Sequence, residues 1–134
     1  MTIVWIAAIA FLACLAYVRL APSDPAAWHV EPQVTGDKNF SNGVTRRVTT
    51  GPDGLRRIDS VIGAEPRTHV LDGSVLQGMI TYVTRSRMMG FPDYTTILLN
   101  GDELLIFARS RFGRKDFGVN RQRIERWIGA LPAH

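Results

Sequence analysis

Two short segments concentrate the side chains best suited to ionic chemistry: Arg85-Ser86-Arg87 and Arg109-Ser110-Arg111, with Asp93 and Tyr94 lying between them in the chain. Each triplet closes a run rich in branched and aromatic residues, 78–85 and 103–110, that reads as a β-strand. If both runs pair antiparallel with 94–99, they run parallel to each other and their C-terminal ends coincide. Arg85, Arg87, Arg109 and Arg111 then gather at one end of a sheet beside Asp93 and Tyr94. Within each triplet the two arginines share a face, because strand side chains alternate. Arg114, Lys115 and Asp116 are placed to fold over that end. Guanidinium forks and loop N–H groups suit a phosphate or carboxylate, a lipid headgroup included. The competing expectation is structural: Asp93 and Asp116 pair with these arginines to fix two loops, and the other charges are solvated.

Other chemistry has little support in the residue pattern. There is no paired-cysteine or His-x-x-x-His spacing, no glycine-rich phosphate loop and no Gly-x-Ser-x-Gly turn, so no metal, cofactor or familiar catalytic centre is expected. His29, His69 and His134 are scattered, and His29 beside Trp28 is expected to pack or hydrogen-bond rather than act as a base. Cys14 is the only cysteine, which excludes an internal disulfide, and inside an apolar run it behaves as a small apolar side chain. Of 16 basic residues 14 are arginine, and the net charge is +4. Residues 109–126 hold seven basic and two acidic side chains, against nine and ten in residues 1–108, so the excess lies toward the C-terminus. That distribution suits an anionic surface or a solvated face. No aromatic-interleaved motif accompanies it, and nucleic acid is not expected as a partner.

The elements that must position these residues begin with an anchor. Residues 1–18 contain no charge, and as a helix they reach about 27 Å, close to the roughly 30 Å hydrocarbon core of a bilayer. The absence of a basic start or a convenient small-x-small site favours a retained single-pass anchor over a cleaved signal. Arg19 at its C-terminal end, with no Lys or Arg before it, favours a cytoplasmic domain. Residues 19–43, with Pro22, Pro25, Pro32, Gly36 and Gly43, read as an irregular lead-in that Trp28 fixes to the core. Residues 44–134 form a soluble α+β domain. A strand is expected over 43–50. A short helix follows, with Asp53 as its cap, apolar positions at Leu55, Ile58, Val61 and Ile62, and Gly63 at its end. Strands 68–71 and 78–85 flank an Asp72-Gly73-Ser74 turn, and strands 94–99 and 103–110 flank an Asn100-Gly101 turn of type I′. A C-terminal amphipathic helix turns Ile124, Trp127, Ile128 and Leu131 inward and Arg121, Arg123, Glu125 and Arg126 outward. The fold class is thus α+β: a membrane helix, then a small, mainly antiparallel sheet with a short helix and a C-terminal helix packed on it.

Several strings in this chain resemble one bacterial family, the domain of unknown function 1499. The specific ones are Thr84-Arg85-Ser86-Arg87-Met88-Met89-Gly90-Phe91-Pro92-Asp93-Tyr94 and the run from Arg109-Ser110-Arg111-Phe112-Gly113 to Asn120-Arg121. Leu20-Ala21-Pro22-Ser23-Asp24-Pro25 before Trp28-His29-Val30, and Ala64-Glu65-Pro66-Arg67-Thr68, are similar to further stretches. The resemblance covers most of residues 19–128 and implies the domain boundary and the N-terminal apolar segment, with no reaction or catalytic residue. Three functions stay open. A membrane-tethered binding module for an anion requires an open pocket where the four arginines converge. An assembly partner for other membrane proteins requires a broad exposed apolar patch. An enzyme of unrecognised type requires a buried carboxylate of shifted titration in a cleft.

Overall fold

The computed structural model describes residues 1–131; residues 132–134, which end the expected domain and include His134, lie outside the described residues. The uncharged run and Arg19-Leu20 form α1 (Thr2–Leu20), which ends two residues beyond the expected anchor, with Val18 its only buried side chain. By length and composition it is able to cross a membrane. Residues 19–43 are more regular than their prolines imply. Pro25 starts a single helical turn, α2 (Pro25–Trp28), whose first free N–H is taken by the Asp24 carboxylate, and Lys38–Phe40 adds a short edge strand, β1.

The domain is built on one antiparallel sheet of six strands. After β1 come β2 (Gly43–Thr49), β3 (Thr68–Ser74), β4 (Met79–Arg85), β5 (Pro92–Asn100) and β6 (Glu103–Ser110), in spatial order β1-β2-β6-β5-β4-β3. Two helices, α3 (Gly54–Ile62) and α4 (Val119–Gly129), lie on one face. The period-two alternation decides what each face meets. Val44, Leu104, Ile106, Ala108, Ile97, Ile80 and Tyr82 point toward the helices, where Leu55, Ile58, Ile62, Ile124 and Trp127 close the core. Asp53 occupies the N-cap of α3, yet its carboxylate pairs with Arg57 at 3.1 Å instead of capping.

Three expectations about local geometry are corrected. Asp72-Gly73-Ser74 is not a turn: β3 runs through it, with a bulge between Val70 and Asp72, and the chain reverses over 75–78, where Gly78 has φ +80°. Asn100 pairs with Glu103, so the two-residue loop is Gly101-Asp102, one position later than expected. Only Gly101 there has positive φ (+64°), which matches a type II′ turn with glycine first. Arg123 does not face outward: it is 8 % exposed, because positions 120, 123, 124 and 127 share the inner face of α4.

Candidate functional site

The strand order β4-β5-β6 brings the ends of β4 and β6 to the start of β5. Arg85 lies opposite Pro92, Arg109 opposite Tyr94, and the Arg111 N–H donates to the Pro92 carbonyl. Arg85, Tyr94 and Arg109 therefore project from the face away from α3 and α4, whereas Asp93, opposite Thr84 and Ser110, projects beneath the helices. One end of one sheet thus carries two unrelated clusters, back to back.

On the outer face the lead-in covers the sheet and occupies Arg109, Arg111 and Tyr94. The Trp28 ring stacks on Tyr94 with centroids 4.0 Å apart, and the Arg109 guanidinium lies 4.6 Å from the Trp28 centroid and 4.9 Å from that of Phe107. Burial there lowers the Arg109 pKa from its ordinary value. Ser23 Oγ lies 2.6 Å from the Tyr94 hydroxyl, and Arg111 Nη1 donates to that hydroxyl and to the Pro22 carbonyl at 3.2 and 3.0 Å. His29 Nδ1 meets Thr81 Oγ1 at 2.8 Å, and Thr96 Oγ1 donates to the Trp28 carbonyl, so His29 helps hold the lead-in. These three predicted anion ligands are spent on aromatic rings and backbone oxygens of the strap that crosses them.

Arg85 and Arg87 have a different setting. They line an open cleft of about 490 Å³ together with Arg19, Arg67, Thr68, His69, Ser86 and Gly90. Arg85 Nη1 donates to the Gly90 carbonyl at 2.9 Å and to that of Val18 at 3.4 Å. Arg19 Nη2 donates to the Met88 carbonyl at 2.6 Å, and Arg67 Nε to that of Arg85 at 3.1 Å. All these acceptors are neutral. No carboxylate lines the cleft, and none of its four arginines takes part in an ion pair among the described residues. Four positive charges are therefore uncompensated at the foot of the apolar helix. Arg67 holds a backbone φ of +56°, unusual for a side chain of its size. Strand alternation carries no signal for Arg19 or Arg67, because one flanks the apolar helix and the other sits in a Pro66-Arg67 corner with no periodicity.

The two acids do not pair with these arginines. Asp93 binds Arg123 on α4 at 3.2 Å, where both side chains are nearly buried. Asp116 caps α4: its carboxylate accepts from the Gly118 and Asn120 N–H groups and from Asn120 Nδ2 at 2.8 Å. The partners of both acids lie at or in α4, Arg123 for Asp93 and the Gly118 and Asn120 N–H groups for Asp116, in place of the expected Arg-Ser-Arg arginines. Burial raises the Asp93 pKa above its ordinary value, while the Ser110 hydrogen bond and the Arg123 charge pull it back. It lines a cavity of about 280 Å³ with Ser110, Lys115 and Asp116. Its Oδ2 is turned to Arg123, which leaves it badly placed as a general base.

A family model described as "Protein of unknown function (DUF1499)" matches residues 18–131. No curated protein and no solved structure matches the chain significantly.

Proposed function

Because the chain belongs to the DUF1499 family of proteins of unknown function, a membership that assigns no reaction, we propose from its own geometry that it is a membrane-tethered module holding a phosphate-type anion. The site is the cleft formed by Arg19, Arg67, Arg85 and Arg87. The carrying observation is the convergence of four guanidinium groups on one open cleft without a carboxylate, at the end of a helix able to span a bilayer. Arg87 is exposed with its whole guanidinium fork available, and Arg67 has only Nε engaged, so two forks remain for bidentate contacts to phosphate oxygens. Arg19 ends the apolar helix, which puts the cleft near the depth of lipid phosphates when α1 spans the membrane. The same juxtamembrane cations favour the cytoplasmic side, where anionic lipids concentrate.

The test uses the full chain in phosphatidylcholine nanodiscs, followed by amide NMR at residues 67–69 and 85–90. Shifts on adding inorganic phosphate assign a free anion, and shifts only on replacing part of the lipid with phosphatidic acid assign a headgroup. Either response weakens with added salt and disappears in the double variant Arg67→Asn, Arg87→Gln. Asparagine tolerates the positive φ at position 67, so this variant removes charge without new backbone strain. No shift under either condition removes the anion reading.

A further inference from the structure

We infer that two loops of the domain, 86–91 and 111–118, enter the lipid beside α1 and form an apolar collar seated in an anionic leaflet. This inference rests on the reading of α1 as a membrane anchor. Met89 and Phe91 share an apolar crevice with Phe11, Cys14, Leu15 and Val18 of α1. The crevice thus runs along the last two to three turns of the helix. At 1.5 Å per residue the 19 residues of α1 reach about 28 Å, which barely matches a hydrocarbon core of about 30 Å. Lifting the Phe11–Val18 stretch into water would leave a span far too short, so this stretch lies at membrane depth, and Met89 and Phe91 with it.

The neighbouring loop continues the collar. The Phe112 ring meets Tyr17 of α1 edge to face, with centroids 6.0 Å apart, and Phe117 shares a cavity with Phe91 and Phe112. Met88 is 81 % and Phe117 87 % exposed, so most of each side chain is left uncovered by the protein. Phe117 is also held at φ +53°, a conformation that a bulky residue rarely adopts, by the hydrogen bonds of its neighbour Asp116. Around these apolar tips stand Arg87, Arg114 and Lys115, all exposed. Their stems can lie along the acyl boundary while their charges meet anionic headgroups. The charge and the continuity with α1 select a lipid surface as occupant.

Collisional quenching of a fluorescent label tests this with the full chain in phosphatidylserine-containing vesicles. Single labelled cysteines are placed, in a Cys14→Ser background, at Ile3, Leu76, Met88 and Phe117. Ile3 reports the anchor; Leu76, 97 % exposed in the β3–β4 turn at the far end of β4, reports water. The expected result is a several-fold lower quenching by a water-soluble quencher at 88 and 117 than at 76, with 3 also shielded. Labels at 88 and 117 as accessible as 76, with 3 shielded, overturn the collar and leave the anchor standing. An accessible label at 3 overturns both. Shielding at 88 and 117 that disappears on diluting protein in lipid assigns the face to a second copy and also overturns the proposal.

Discussion

Replacing Arg123 by methionine should destabilise the domain strongly at mildly alkaline pH and less in acid. Arg123 Nη1 donates to Asp93 Oδ2 at 3.2 Å and to Asn120 Oδ1 at 3.1 Å, with the two charged side chains 10 % and 13 % exposed. Methionine fills comparable volume but leaves a buried carboxylate alone, a change that costs about 3–5 kcal/mol when one partner of a buried pair is removed. For a domain of roughly 110 residues each kcal/mol moves the midpoint by at least about 4 °C, so the loss is on the order of 12 °C or more. The sign with pH follows from Asp93. Burial raises its pKa, so the folded state binds more protons than the unfolded state between the ordinary and the raised value. Stability therefore falls as pH rises through that window. Removing the Arg123 charge takes away a lowering influence and extends the window upward. Toward acid pH the orphaned carboxyl takes a proton more readily and sheds part of the penalty, whereas rising pH ionises it and restores the full cost. The double variant Asp93→Asn, Arg123→Met carries no buried charge and recovers most of the stability at about pH 8. Urea titration of the full chain in micelles, read by circular dichroism, measures all three proteins. An equal loss in acid and at mildly alkaline pH, or a double variant no better than the single, refutes the assignment of the cost to a stranded charge.

Two further outcomes concern the sheet. In Gly73→Ala the new Cβ would lie 2.0 Å from the Met79 carbonyl oxygen and 2.7 Å from His29 Cε1, at a backbone φ of +91°. The expected loss is about 3 kcal/mol by denaturant titration, together with a loosened lead-in seen as increased proteolysis after Trp28; a loss below about 1 kcal/mol contradicts the bulge geometry. Thr95 is fully buried and its Oγ1 has no hydrogen-bond partner. Thr95→Val keeps the shape and removes the stranded hydroxyl, so stability should hold or rise by up to about 1 kcal/mol, and a clear decrease would show that the hydroxyl is satisfied in solution.

The parts of this architecture legible in the sequence are those set by periodicity. An 18-residue run without charge can only be an apolar helix, and the alternation of β4, β5 and β6 was enough to place the ends of both Arg-Ser-Arg segments together. Periodicity also gave the inner face of α4, but it could not rank Arg123 against its neighbours, because only the facing Asp93 makes an inward arginine favourable. Turn chemistry misled by one residue where Asn100 completed a strand pair that a type I′ turn would have broken. The candidate site divided for a similar reason. Alternation shows that Arg85 and Arg109 leave the same face of the sheet, but not that the segment around Trp28 folds back over only one of them. Long-range placement of an irregular segment leaves almost no trace in local spacing, and Arg67, in a corner, left none.

The join between α1 and the sheet has a mechanical consequence. Arg19 and Arg85 grip carbonyls on both sides of the join, at Met88, Met89, Gly90 and Val18, and Arg111 grips Pro22 just beyond it. The domain is thus clamped to its helix instead of swinging on a leash. A helix only just long enough for its bilayer changes its angle as the bilayer thickens or thins. With α1 across a bilayer, as proposed above, a rigid coupling would transmit that angle, so the sheet would lean with the helix and local membrane thickness would set the attitude of the domain.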